Sequence, residues 1–73
     1  MENQRGEFMN IKEKELMIIR CSAMGYTNRE IAKDMNISEP YVRYILESLF
    51  FKTETKNKAH LVDWAYRNKV LGE

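Results

Sequence analysis

The stretch Thr27 to Phe51, TNREIAKDMNISEPYVRYILESLFF, decides the fold. Thr27-Asn28-Arg29-Glu30 is a capping box, in which the threonine hydroxyl accepts from the Glu30 amide while the Glu30 carboxylate reaches back. Ile31, Ala32 and Met35 then give an apolar face to about two turns of helix. Asn36 suits a left-handed C-cap, and Ile37 plugs the corner. Ser38 caps a second helix. Glu39 lies at the positive end of its dipole, and Pro40 sits in the first turn, where a missing amide hydrogen costs nothing. Val42, Ile45, Leu46, Leu49 and Phe50 recur at helical spacing as one buried stripe, which leaves Arg43, Tyr44 and Glu47 outside. A short capped helix, a tight turn and a longer helix with a polar outer face make a helix-turn-helix, a shape suited to DNA.

The rest of the chain has to support that unit. Seventy-three residues allow one domain, and a domain near this size buries only about 60% of its unfolded surface. A lone cysteine rules out an internal disulfide, so association with a second copy is the expected supplement. The single Cys and the lack of a signal peptide predict a reducing, cytoplasmic setting. No apolar run exceeds the four residues Leu16–Ile19, which excludes a membrane span. Almost no segment alternates with period two, so the expected class is all-α.

Charge is nearly balanced, 12 Lys+Arg against 11 Asp+Glu, net +1. A nucleic-acid binder usually has a clearer basic excess. Residues 25–47 are net −1 and residues 48–73 net +2, so the outer helix of the pair is not the basic part. Phosphate attraction has to come from Arg29, Lys33, Arg43 and the Lys52/Lys56/Lys58 group; the alternative for that group is solvated loop charge.

Residues 1–10 read as a loose tail. A first helix begins near Ile11, with Ile18, Ile19, Ser22 and Ala23 inside, Ile11, Glu15 and Cys21 at the margins, and Leu16 and Met17 widening the apolar face. Gly25 ends it. Cys21 reads as a small core hydrophobe, since it has no second Cys and the single His lies in another helix. Lys52–Lys58 reads as a polar connector. Asn57 caps a fourth helix from Lys58 to about Asn68, with Leu61, Val62 and Ala65 as its core stripe and Trp64 and Tyr66 on its flanks. That face is broad enough to bury against another chain; the alternative folds Trp64 down over the first helix. His60 reads as a surface or interface residue. No His/Cys/Asp constellation, Gly-rich phosphate loop or paired carboxylates appear, so no catalytic residue, cofactor or metal ligand is expected.

From Ile11 to Leu71 the chain resembles the LuxR/GerE-type DNA-binding domain. Gly25-Tyr26-Thr27-Asn28-Arg29-Glu30-Ile31-Ala32 matches that family's G-x-S/T-N-K/R-E-I-A, and Ile37-Ser38 with Val42-Arg43 matches I-S-x-x-T-V-K/R. Lys52, Lys58, Val62 and Ala65 fall on later landmarks. The resemblance implies a four-helix domain over residues 11–71, whose third helix enters the major groove and whose fourth makes a homodimer. It further implies phosphate contact by Thr27, Asn28 and Arg29, base or phosphate contact by Arg43, and bases facing Tyr44 and Glu47. Lys52 and Lys58 would grip the backbone, and Leu61, Trp64, Ala65 and Asn68 would form the dimer seam. Arg43 is suited to a bidentate contact with guanine and Glu47 to accepting from a cytosine amino group.

Several positions depart from the pattern. Tyr41 stands where the family has a phosphate-contacting Thr, Ile45 where it has His, Phe51 where it usually has a charge, and Met17 where it often has an acid. Glu47 replaces a basic or small residue, and Lys52-Thr53-Glu54-Thr55 replaces K-L-G-V, losing two apolar side chains. Two functions from different classes are therefore expected. One is a free-standing, sequence-specific regulator binding double-stranded DNA as a homodimer, without a receiver domain or a small-molecule ligand. The other is a module that pairs with another regulator or the transcription machinery through Phe51, Trp64, Leu16 and Met17.

Overall fold

The computed structural model describes residues 11–72, so the expected tail over residues 1–10 lies outside the described residues. Within them are four α-helices and no strand: α1 (Glu13–Ala23), α2 (Asn28–Met35), α3 (Glu39–Thr53) and α4 (Lys58–Arg67). The two helices of the opening stretch, α2 and α3, pack on each other, α1 packs along α4, and α3 also touches both α1 and α4.

Each start has a local cause. At α2 both arms of the capping box form, with the Glu30 amide donating to Thr27 Oγ1 at 3.1 Å and the Thr27 amide donating to Glu30 Oε1 at 2.8 Å. Ser38 Oγ accepts from the Tyr41 amide at 3.1 Å to open α3, and Asn57 Oδ1 accepts from the His60 amide at 2.8 Å to open α4. α1 has half of such a box. Its cap residue Lys12 has no accepting side-chain group, and only the return bond exists, from the Lys12 amide to Glu15 Oε1 at 2.9 Å. One of the two capping bonds is therefore missing at this start.

The four ends share one device. A residue with left-handed backbone follows each helix: Gly25, Asn36, Glu54 and Lys69, with φ of 86°, 60°, 59° and 58°. The amide after it reaches back five positions along the turn, from Tyr26 to the Cys21 carbonyl, Ile37 to Ala32, Thr55 to Phe50 and Val70 to Ala65. These are Schellman closures, which satisfy carbonyls that the helix leaves open.

The core takes Ile18, Ile19 and Cys21 from α1, Ile31 and Ala32 from α2, Val42, Ile45, Leu46 and Leu49 from α3, Leu61 and Ala65 from α4, and Leu71 from beyond it. Three expectations change. Cys21 lies in the core rather than at its margin, while Ser22 and Ala23 are half-buried; the Ser22 hydroxyl donates back to the Ile18 carbonyl at 2.8 Å. The connector is shorter than Lys52–Lys58, because α3 runs on to Thr53. Thr53 and Thr55 are also buried, in the places of the two apolar side chains the sequence lacks. The Thr53 hydroxyl donates to the Leu49 carbonyl at 2.8 Å and lies 2.9 Å from Thr55 Oγ1. Its one proton being used, Thr55 is the donor of that second bond, and the pair enters the core with its polar atoms satisfied. Leu71, buried behind α4, was not anticipated.

Candidate nucleic-acid interface

The outer face of α3 is flanked by two concavities. The first, an open groove of about 590 Å3, is lined by Asn28 of α2, Arg43, Leu46, Glu47 and Phe50 of α3, and Lys56, Asn57, Lys58 and Ala59 at the start of α4. The second, about 290 Å3, is lined by Lys12, Lys14, Glu15, Tyr41, Tyr44, Ile45 and Ser48. The fold therefore gathers Asn28, Arg43, Glu47 and Lys58 along one groove and puts Tyr41 and Tyr44 on the other flank.

Thr27 and Arg29 are exposed at the start of α2, where helix amides point outward and favour an anion. Arg43 is exposed, and among the described residues its only ion pair is a long one with Glu39, 3.9 Å away one turn back. Such an exposed pair is worth little and leaves the guanidinium available. The Tyr41 and Tyr44 rings lie nearly parallel, 6.3 Å between centroids, and the Lys14 ammonium stands 5.2 Å over the Tyr41 ring. The sequence reading missed that contact, because nothing local links α1 to a residue 27 positions later. Phe51 is 88% exposed on the outer face of α3, beyond Tyr44 and Glu47.

Two expected phosphate contacts have partners inside the chain. Lys52 Nζ meets both oxygens of Glu15, at 3.1 and 3.3 Å, joining the end of α3 to the start of α1. Lys58 Nζ donates to the Tyr26 carbonyl at 2.9 Å and to Asn28 Oδ1 at 3.0 Å. Burial pushes the Lys58 ammonium below the usual lysine range. Burial, aided by the Asp34 charge, raises the Cys21 thiol, which fits an inert core residue.

Of the four residues expected at a seam, Leu61 and Ala65 have no accessible surface in the single chain and belong to its core. Trp64 and Asn68 are half-buried one turn apart. Trp64 leans on the core, and the Asn68 amide nitrogen donates to the Trp64 carbonyl at 2.8 Å. His60 is exposed, with Nδ1 accepting from the Lys56 amide at 3.1 Å. Among the described residues no cluster of His, Cys, Asp or Glu could hold a metal ion, and no helix is long and apolar enough to cross a membrane.

Capped α2, three-residue turn and outward-facing α3 together define a helix-turn-helix domain. Residues 9–65 match the family described as "Bacterial regulatory proteins, luxR family", and the chain belongs to that family. It is 33% identical over 63 residues to the probable transcriptional regulator ycf29 of Cyanophora paradoxa, covering 86% of this chain and 30% of the relative. It is 32% identical over 69 residues to the oxygen regulatory protein NreC of Staphylococcus aureus strain USA300, covering 94% of this chain and 32% of that one. The chain thus spans about a third of the length of these curated relatives. No solved structure matches it significantly.

Proposed function

We propose that the chain is a DNA-binding transcription regulator that places α3 in the major groove. The observation that carries this is the shared groove. Asn28, the first residue of the capped helix α2, lines it together with Arg43 and Glu47 from the outer face of α3, so that a phosphate-gripping group and base-facing groups share one groove. Thr27, Asn28 and Arg29 meet backbone phosphate, and Arg43, Tyr44 and Glu47 face base edges. Tyr41, stacked on Tyr44, replaces a short hydroxyl by one further out. Two copies pair through the Trp64–Asn68 side of α4 and address half-sites about one helical turn apart. The membership in the luxR family and the regulator ycf29 among its relatives support the reading.

The test is selection from a pool of random duplex DNA by the purified chain at two salt concentrations. A palindromic site whose affinity falls steeply as salt rises is the expected result. Binding that any duplex competes away would sink sequence-specific regulation. A second reading, a module that docks on another protein, is favoured by the 88% exposure of Phe51 and by the net −1 charge of residues 25–47. Arg43→Ala separates the two: it loses DNA affinity under the first and leaves partner binding intact under the second.

A further inference from the structure

Lys58 occupies the junction where the turn before α2 meets the first residue of α4, a contact spanning about thirty positions of sequence. An ammonium only donates hydrogen bonds, whereas a side-chain amide has one accepting and one donating end. With Lys58 Nζ 3.0 Å away, the Asn28 amide is obliged to turn its oxygen inward. Its two N–H donors are then left for the groove that Asn28 and Lys58 both line. Phosphate oxygens only accept, so donors outward is the useful orientation and oxygen outward would repel. The second bond, to the Tyr26 carbonyl at 2.9 Å, satisfies a half-buried backbone group and holds the ammonium in place. Arg43, by contrast, keeps an exposed guanidinium.

We infer that Lys58 is a positioning residue: it orients the Asn28 amide toward DNA phosphate and does not itself neutralise a phosphate. This rests on the DNA reading above and assigns a different role to one of its cations.

The test compares wild type, Lys58→Gln, Lys58→Met, Asn28→Ala and the Asn28→Ala/Lys58→Met double variant on a mixed-sequence duplex across a salt series. Each neutralised phosphate adds about 0.9 to the slope of log affinity against log salt. A positioning role predicts that Lys58→Met loses roughly two- to tenfold in affinity, one hydrogen bond's worth, with an unchanged slope. The double variant then loses no more than either single one. Lys58→Gln keeps an N–H donor without the charge, satisfies the Tyr26 carbonyl, and should restore most of the affinity at the same slope. A slope lower by about 0.9 in Lys58→Gln, or additive losses in the double variant, would overturn the inference and make Lys58 a direct phosphate contact. If wild type binds no duplex at all, the DNA reading itself fails, a result distinct from either.

Discussion

At the residue scale, the helix ends carry the most information. Left-handed backbone costs a residue other than glycine roughly 1–2 kcal/mol, and this chain spends it at Asn36, Glu54 and Lys69. Asn36 was legible, because asparagine tolerates that region and precedes a capping serine. Glu54 and Lys69 were not, since neither side chain favours it; the closures behind them, from Thr55 to Phe50 and from Val70 to Ala65, decide their geometry. Glu54→Gly should therefore raise the unfolding free energy by about 0.5–1 kcal/mol, after allowing for glycine's larger freedom in the unfolded chain. Gly25→Ala should lower it by about 1 kcal/mol, although an added Cβ would meet nothing within 4 Å, because strain at φ +86° is its only cost. Denaturant titrations of both variants check the pair. If Glu54→Gly destabilises, the left-handed assignment at that end is wrong.

At the element scale, propensity and capping suffice for α2 and α3. Both begin on a side-chain cap that can be read three residues ahead, and both bury most of the stripe their spacing predicts, with Met35 and Phe50 half-buried at its edges. Thr27→Ala and Ser38→Ala should each cost about 1 kcal/mol, read as a fall in Tm of roughly 4–8 °C in a domain of this size. The two should differ in function: only Thr27→Ala should also weaken duplex binding, because Thr27 opens the helix whose start faces the groove. Equal losses of binding in both would mean that the effect is one of fold alone. The end of α3 was less legible. Its polar run hides two threonines that enter the core only because each satisfies its hydroxyl within the chain, and a period of apolar residues cannot register that.

At the scale of the whole molecule, a small core leaves half-buried apolar surface on α4, and Trp64 serves two ends at once. It leans on the core of its own chain and, under the proposed function, faces a second copy. Trp64→Ala should cost about 2 kcal/mol of stability, less than the roughly 3–5 of a fully buried tryptophan. It should also shift sedimentation toward monomer at concentrations where wild type is a dimer. A wild type that sediments as monomer at every concentration, with and without duplex DNA, would remove the seam on α4.

The sequence by itself determined the helical class, the four helices with the side-chain caps that open α2, α3 and α4, the helix-turn-helix and the family resemblance. Those properties rest on interactions within a few residues of the chain. Only the tertiary structure decided which cations are engaged. Lys52 meets Glu15 and Lys58 meets Tyr26 and Asn28 across thirty or more positions, and no local pattern encodes a contact at that separation. It also decided that Leu61 and Ala65 belong to the core rather than to a seam. Helical spacing marks the apolar side of α4 but not whether its own chain or a second one covers it, and here α1 and α3 both pack on α4 and those two residues are fully buried within the single chain.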